Sequence, residues 1–216
     1  FRTGFNGTKQ STVVNAFGGG NVIFAGGTAL STVFTTGLYQ ADVESGSSDR
    51  FASAPGTLNN GTTNFTVFAW VKVESIGTAR TIMSQWETAS NRRGFQLRIT
   101  AANQIELVLS ANGTLQTVYT MTSTFTDTTA WHFICATYDL TNRGQVSLDN
   151  VAQTTTLTTG TNPAQINSSP VSLLVGANVP LVPTAFFDGL IGICGLATGT
   201  SLSAASISTL YNTTNS

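Results

Sequence analysis

Short runs of β-branched and aromatic residues recur along the chain, and glycine, asparagine, aspartate and serine separate them. The runs repeat at intervals of about ten residues, which is the spacing of strands and turns in an all-β sandwich. The 216 residues are enough for one such domain and too few for two substantial ones. The pattern therefore predicts an all-β fold in which two antiparallel sheets stack on each other.

Residues 64–74 show the strongest alternation, with Val67 and Val71 on one face and Phe68 and Trp70 on the other. A strand that is apolar on both faces is covered on both, so we expect it near the middle of a sheet. Further strands are predicted at residues 80–86, 94–100, 104–110, 115–121, 131–138, 145–148, 151–156, 171–176 and 187–196.

Turn and helix signals complete the outline of the fold. Two dipeptides that tolerate positive φ predict tight hairpin turns, namely Asn112-Gly113 and Asp149-Asn150. A helix is predicted only at the C-terminus, where Ser203 can act as the N-cap. Ile207, Leu210 and Tyr211 follow at helical spacing, so this short helix should cover one part of the sandwich.

Charge is scarce in this chain. Only 9% of the residues are charged and the net charge is −1, whereas a typical soluble domain has about 25% charged residues. No basic face exists to neutralise nucleic acid phosphates or anionic lipid, and no apolar run is long enough to cross a bilayer. A surface of threonine, serine and asparagine favours neutral hydrogen-bonding partners, such as neighbouring protein subunits or glycans.

The two cysteines, Cys135 and Cys194, lie in apolar stretches that are predicted to be strands. They are too few for a disulfide framework and are not spaced as metal ligands. We favour buried free thiols, and a single bridge between the two is the alternative.

Six stretches, taken in order, resemble a known family. They are residues 47–51 (SSDRF), 65–72 (FTVFAWVK), 131–139 (WHFICATYD), 146–150 (VSLDN), 187–192 (FDGLIG) and 202–212 (LSAASISTLYN). Over residues 38–212 the chain resembles a concanavalin A-like jelly roll of the laminin G type. The resemblance implies a two-sheet antiparallel jelly-roll sandwich with one short C-terminal helix, spanning residues 38–216.

Residues 1–37 lie outside this resemblance and are treated as an N-terminal extension. They contain glycine clusters between short apolar pieces. One interpretation is one or two additional edge strands. The other is an extended arm that lies on a neighbouring subunit.

No constellation of catalytic residues is recognisable. His132 is the only histidine, and the chain has no nucleophile elbow and no zinc-binding histidine pair. The glutamates stand apart, whereas a retaining glycosidase needs two carboxyl groups about 5 Å apart. We therefore predict that the protein is not an enzyme; a glycan hydrolase that uses a carboxylate such as Glu106 is a remote alternative.

No metal and no cofactor are predicted. Calcium is the alternative, because folds of this kind bind it through rim aspartates, and Asp49 and Asp188 lie in the stretches that carry the resemblance. A calcium site needs six to eight oxygen ligands, usually with several carboxylates, and this sequence supplies few.

The best candidate for ligand binding is the loop at residues 86–93, with Trp86, Asn91 and Arg92 as the binding residues. Sugar rings stack on indole while their hydroxyls bond to asparagine and arginine. The competing interpretation is that Trp86 ends a core strand and that the arginines only solvate a loop tip.

Two functions fit these observations. The first is a non-enzymatic structural or adhesive subunit of an assembled particle surface, such as a phage head decoration or fibre protein, with glycan recognition as an added role. Its place would be the virion surface and its partners would be neighbouring subunits. The alternative is a secreted carbohydrate-binding or cell-adhesion module of a larger protein. Neither involves nucleic acid or insertion into a membrane.

Overall fold

A computed structural model shows two antiparallel sheets and a C-terminal helix. It describes residues 40–53, 61–178 and 184–214, together with the backbone of short strands at residues 13–14, 21–25 and 29–31. The prediction of an all-β jelly-roll sandwich with one short C-terminal helix is confirmed.

The first eight strands in chain order are β1 (Val13–Val14), β2 (Asn21–Ala25), β3 (Ala29–Ser31), β4 (Gln40–Val43), β5 (Arg50–Ser53), β6 (Phe65–Val73), β7 (Arg80–Glu87) and β8 (Arg92–Ile99). The next are β9 (Ile105–Leu109), β10 (Thr117–Met121), β11 (His132–Tyr138), β12 (Gln145–Leu148), β13 (Val151–Gln153), β14 (Thr155–Thr159), β15 (Leu174–Val175) and β16 (Gly189–Thr198). Helix α1 (Ala204–Thr214) follows, and short 3-10 helices lie at Ser45–Ser47 and Ala89–Asn91.

The strands are divided between a larger and a smaller sheet. The larger sheet has the order β1-β2-β5-β15-β7-β8-β9-β10-β14, and the smaller one has the order β13-β12-β11-β6-β16-β4-β3. Strand β6 lies in the interior of the smaller sheet, between β11 and β16, as its apolar pattern predicts.

Apolar side chains on both faces of β6 are buried. Phe65 and Val67 point into the main core between the sheets, where Phe65 packs on Phe95 with ring centroids 4.8 Å apart. Phe68 and Trp70 point the other way and form a second cluster under helix α1. Burial on both faces explains why this strand is apolar without interruption.

Helix α1 begins where the sequence predicts. Ser206 N donates a hydrogen bond to Ser203 Oγ at 3.2 Å, which is the expected N-cap contact. The indole of Trp70 stacks on Tyr211 at 5.3 Å and donates from Nε1 to Thr214 Oγ1 at 2.7 Å. Among the described residues, no helix is long and apolar enough to span a bilayer.

Only one of the two predicted tight turns forms. Asp149 and Asn150 both have positive φ, 49° and 65°, as the turn between β12 and β13 requires. In the other pair only Gly113 has a positive φ, 81°. The side-chain oxygen Oδ1 of Asn112 instead accepts hydrogen bonds from the backbone amides of residues 114 and 115, each at 2.9 Å, so a wider loop replaces the two-residue turn.

The predicted strand at residues 151–156 is in fact two strands in different sheets. Strand β13 closes one end of the smaller sheet, and β14 closes one end of the larger sheet. The chain changes sheets at Thr154, whose carbonyl accepts a hydrogen bond from Thr122 N at 2.9 Å. The predicted strand at residues 171–176 is also shorter, since only Leu174–Val175 pairs.

Both cysteines are free, and the fold separates them. Cys135 pairs with Phe68 on one side of β6, while Cys194 pairs with Ala69 on the other side. Phe68 faces helix α1 and Ala69 faces the core, so the two thiols lie on opposite faces of the sheet, on strands about 10 Å apart. A disulfide cannot bridge them without a change of fold. Burial raises the pKa of Cys135 to about 12 and that of Cys194 to about 11.

Three short strands of the N-terminal extension add to the sheets. Strand β2 pairs with β5 and β1 pairs with β2 in the larger sheet, while β3 pairs with β4 in the smaller one. The remaining residues of the extension lie outside the described part of the chain. The interpretation of residues 1–37 as an arm onto a neighbouring subunit stays a prediction.

Candidate functional site

The hairpin between β7 and β8 forms the first wall of a depression at one end of the larger sheet. Trp86 and Arg93 are cross-strand partners in this hairpin. The turn between them includes Asn91, which has a φ of 54° that asparagine tolerates. Glu87 secures the turn, since its Oε1 accepts a hydrogen bond from Ala89 N at 2.9 Å. The hairpin therefore holds an indole and a guanidinium next to each other.

The loop between β9 and β10 forms the second wall and touches the hairpin through Gly113. A Cβ atom on this residue would lie 2.0 Å from the carbonyl oxygen of Asn91, so only glycine fits. Arg93 N donates to Gly113 O at 3.3 Å. Ser110 Oγ in turn accepts a hydrogen bond from Gly113 N at 3.0 Å. These contacts fix the spacing between the two loops.

A third segment, residues 167–169, fastens both loops from behind. Asn167 donates from Nδ2 to Arg93 O at 2.9 Å and from its backbone N to Ser110 O at 2.7 Å. Ser169 Oγ donates to Arg92 O at 2.6 Å. All these hydrogen bonds end on backbone groups of the two loops. The side chains that line the depression are therefore not needed to hold its walls.

We call this feature the Trp86 depression, and it encloses about 380 Å³. Its lining residues are Trp86, Thr88, Arg93, Thr114, Leu115 and Gln116. Leu115 is 70% exposed, whereas Trp86 is only 5% exposed and packs on Val108 and Val118. The lining combines one exposed apolar side chain, two hydroxyls, an amide and a guanidinium.

Trp86 supports Arg93 more than it offers a stacking surface. The guanidinium carbon of Arg93 lies 5.8 Å from the centroid of the indole ring, within cation–π range. Arg93 Nε and the adjacent Arg92 Nε are both buried, and neither makes a hydrogen bond to a described residue. The Arg93 guanidinium lines the depression, so its exposed N–H groups can donate to acceptors on a ligand. The arrangement suits a ligand rich in hydroxyl oxygens.

Of the three residues predicted from the sequence, only Trp86 lines the depression. Asn91 is exposed, and its carbonyl abuts Gly113. The backbone carbonyl of Arg92 accepts the hydrogen bond from Ser169 Oγ, and Arg92 is not among the residues that line the depression. Their role in ligand binding stays a prediction. No sequence signal distinguishes Arg93 from Arg92, because the pairing of Arg93 with Trp86 follows a register shift between Gln85 and Trp86, and the residues from the second loop have no local signal either.

A more open polar groove of about 660 Å³ lies at the same end of the sandwich, after β11 and β16. Asp139 is its only charged lining residue. Hydrogen bonds from Thr141 N, Asn142 N and Nδ2, and Ser201 Oγ occupy both carboxylate oxygens of Asp139. Although burial acts to raise it, these bonds hold the pKa of Asp139 below its usual value. This carboxylate therefore organises the loops and is not available to a ligand.

The two aspartates considered for calcium are used by the fold at the opposite end of the sandwich. Asp49 is 2% exposed. Asp188 accepts hydrogen bonds from Ser45 N at 3.2 Å, Ser45 Oγ at 2.8 Å and Ser75 Oγ at 2.5 Å, and it forms an ion pair with Arg80 at 3.2 Å. Despite the opposing effect of burial, these partners lower the pKa of Asp188. Its oxygens are already committed to neighbouring side chains.

Three other carboxylates lie close together near these aspartates. We call Asp42, Glu44 and Glu74 the acidic cluster; their carboxylate oxygens lie within 4.8 Å of one another. Burial, followed by repulsion from Asp42, Glu74 and Asp188, raises the pKa of Glu44. Burial also raises the pKa of Asp42. Sequence reasoning did not single out this group, because Glu74 is far from the other two along the chain. Binding without metal stays a prediction.

The residues considered for catalysis have structural partners. Glu106, on the outer face of β9, accepts hydrogen bonds from Arg98 Nε at 2.7 Å and from Thr120 Oγ1 at 3.0 Å. The Nδ1 atom of His132 lies 2.7 Å from Asp149 Oδ2, and Asp149 Oδ1 accepts a hydrogen bond from the following backbone amide, at residue 133. Both side chains thus join strands to one another or to a turn.

Comparison with known proteins identifies relatives of the fold. The family model described as the concanavalin A-like lectin/glucanases superfamily matches residues 45–207. No curated protein sequence matches the chain.

Solved structures with the same fold include receptor-binding domains of botulinum neurotoxins. The receptor-binding domain of the botulinum neurotoxin C/D mosaic serotype has a TM-score of 0.65 at 14% identity, covering 90% of this chain and 46% of that chain. The binding domain of botulinum neurotoxin DC in complex with rat synaptotagmin II has a TM-score of 0.63 at 15% identity, covering 90% and 47%. The type G receptor-binding domain has a TM-score of 0.63 at 13% identity, covering 90% and 46%. The chain spans less than half the length of these structures, and the likeness is one of fold.

Proposed function

Since the chain belongs to the concanavalin A-like lectin and glucanase superfamily, we propose that it is a non-catalytic recognition module that binds a neutral glycan in the Trp86 depression. One observation carries the proposal: the Arg93 guanidinium is held over the indole of Trp86, in a depression otherwise lined by neutral groups. A polyhydroxylated ligand supplies hydroxyl acceptors for the guanidinium and apolar C–H faces for Leu115.

Several features support a binding role over an enzymatic one. Both carboxylate oxygens of Glu106 accept hydrogen bonds, one from Arg98 and one from Thr120, which ties this group to the neighbouring strands. Some of the structures with this fold are named as receptor-binding domains, and one of them is a complex with synaptotagmin II. Those partners belong to proteins of which this chain covers less than half.

Two adjacent arginines provide a matched test of the glycan site. Arg93→Ala removes the guanidinium from the depression, and Arg92→Ala removes the same charge from the neighbouring position outside it. We expect Arg93→Ala to weaken glycan binding about tenfold or more and Arg92→Ala to leave it nearly unchanged, measured by titration calorimetry on a glycan that binds the wild type. Equal effects of the two substitutions would contradict the assignment.

We also propose that the protein is a subunit of an assembled particle surface, with neighbouring subunits as partners and the virion surface as its place. The observation that favours it is the low charge, 9% of residues, since a surface of neutral hydrogen-bonding groups can pack against identical copies with little desolvation cost. The alternative is a secreted adhesion module, for which a Cys135–Cys194 bridge would be expected. The positions of the two thiols on opposite faces of the sheet remove that support.

A further inference from the structure

Both sheets end on the same side of the sandwich, at a single uncharged segment. Strand β13 is the last strand of the smaller sheet and β14 is the last strand of the larger one, with only Thr154 between them. Most residues of both strands are exposed. Within the part of the chain that the structure describes, no further strand pairs with either edge.

This edge lacks the residues that usually protect one. Natural edge strands carry lysine, proline or inward-pointing charges that discourage pairing with another chain. Residues 151–159 read VAQTTTLTT and contain no charged residue, no proline and no glycine. β-Branched residues predominate, and these favour extended, paired backbone.

The hydrogen-bonding register shows which backbone groups are free to pair. Thr122 N donates to Thr154 O, and Thr156 is the Cα partner of Thr120. Because hydrogen-bonded pairs recur at every second residue of an antiparallel ladder, residues 154 and 156 both direct their backbone N–H and C=O groups toward β10. Thr155 and Leu157 therefore turn their N–H and C=O groups outward. A β-bulge at the Val118/Tyr119 register shift ends this regular stretch before Thr159.

A second copy of the chain fits this edge by symmetry. Two antiparallel copies related by a twofold axis at Thr156 would place Thr155 of each opposite Leu157 of the other. Thr155 of one copy and Leu157 of the other would form a hydrogen-bonded pair, in which each residue donates its N–H and accepts at its C=O. The contact would therefore satisfy the outward-facing backbone groups of both residues in both copies. No like charges meet across the axis, because the segment has none.

Exposed apolar side chains mark the same edge. Val151 is 61% exposed and Leu157 is 41% exposed, and they account for two of the five large hydrophobic residues that are exposed in the described structure. Pairing along β14 would cover part of the Leu157 side chain. An uncharged edge offers nothing to select a charged peptide, which favours a copy of this chain over other strands.

We propose that β14 is a self-association edge, at which two copies pair antiparallel about Thr156 and join their larger sheets into one continuous sheet. The contact involves a short segment, and interfaces below about 1,200 Å² are weak or transient. The pair is therefore a reversible dimer in dilute solution, and it gains strength where many copies are held together. The inference rests on the assembly role proposed above and is independent of the glycan site.

Sedimentation velocity on the full chain, from low micromolar concentrations to about 1 mM, tests the proposal. We expect the wild type to shift from the 22.6 kDa monomer toward twice that mass. Thr156→Lys, which brings two like charges together at the axis, should raise the concentration needed for dimerisation at least about tenfold. Leu157→Lys serves as a second edge variant, and Thr78→Lys adds the same charge to an exposed threonine in the β6–β7 loop as the matched control.

Amide exchange supplies a residue-level readout. In the wild type, the Thr155 and Leu157 amides should become protected as concentration rises, while the Thr156 amide, already bonded within the chain, should not change. A wild type that stays monomeric, or edge variants that dimerise like the Thr78→Lys control while retaining the native circular dichroism spectrum, would overturn the proposal. Glycan titration of Thr156→Lys separates the two proposals, since the Trp86 depression lies on other strands.

Discussion

At the residue scale, repulsion within the acidic cluster is a source of pH dependence. Burial and the nearby carboxylates raise the pKa of Glu44 above its ordinary value of 4.5. The folded protein thus binds this proton more readily than the unfolded chain does, and the ionised form opposes folding at neutral pH.

Glu44→Gln removes that repulsion. We expect the variant to unfold about 1 to 2 °C above the wild type at pH 7, measured by scanning calorimetry. The difference should shrink as the pH falls through the raised pKa of Glu44 and should vanish below the ordinary pKa of glutamate, because Glu44 is then neutral in both the folded and the unfolded protein. A variant that is less stable than the wild type at pH 7 would show that Glu44 has a stabilising partner instead.

The residues predicted to bind a ligand show how far local sequence reasoning reaches. An aromatic residue beside a basic pair indicated the hairpin that carries Trp86, and the depression does lie there. The sequence prediction names Arg92 and not Arg93 as a binding residue. The side of the sheet on which an arginine side chain lies depends on the strand register, and the register of β7 and β8 shifts between Gln85 and Trp86. Leu115 comes from another hairpin, and only the folded sheet brings it to this position.

At the element scale, contact between the two hairpin loops determines the shape of the depression. Gly113 has a φ of 81°, and a Cβ there would meet Asn91 O at 2.0 Å. Gly77 has nearly the same φ, 82°, and no atom lies within 4 Å of the position that a Cβ would take. A substitution at Gly77 therefore measures the backbone strain without the steric clash.

We therefore compare Gly113→Ala with Gly77→Ala. The strain alone should cost about 1 to 2 kcal/mol in each, and the Gly113→Ala variant should lose about 1 kcal/mol or more in addition, measured by urea unfolding. Glycan binding should weaken only in Gly113→Ala, since its loops must move apart. Equal losses of stability in the two variants would mean that the loops separate without cost.

The strands themselves were largely predictable, since their alternation and turn residues are local. Residues 64–74 and 131–138 correspond closely to β6 and β11. The division of residues 151–156 between two sheets was not predictable, because the chain changes sheets at Thr154 without a glycine, proline or asparagine to mark the place. Asn112 misled for a different reason, since its side chain bonds to backbone amides in place of a hairpin ladder.

At the scale of the whole molecule, the surfaces proposed for recognition and for assembly are different. The Trp86 depression lies among β7, β8 and the β9–β10 loop, whereas the proposed self-association edge is β14. A subunit can therefore pair with its neighbours and still present its loops to a glycan. The low charge, visible in the composition, serves both surfaces, although composition alone could not locate either of them.

We propose that the protein recognises a neutral glycan without metal. The most direct test is a glycan and polysaccharide binding screen on the purified protein, performed in calcium and again in chelator. We predict reproducible binding to uncharged glycans that is unchanged by the chelator. A clean absence of binding would contradict the recognition role, and binding that disappears in chelator would contradict the metal-free site.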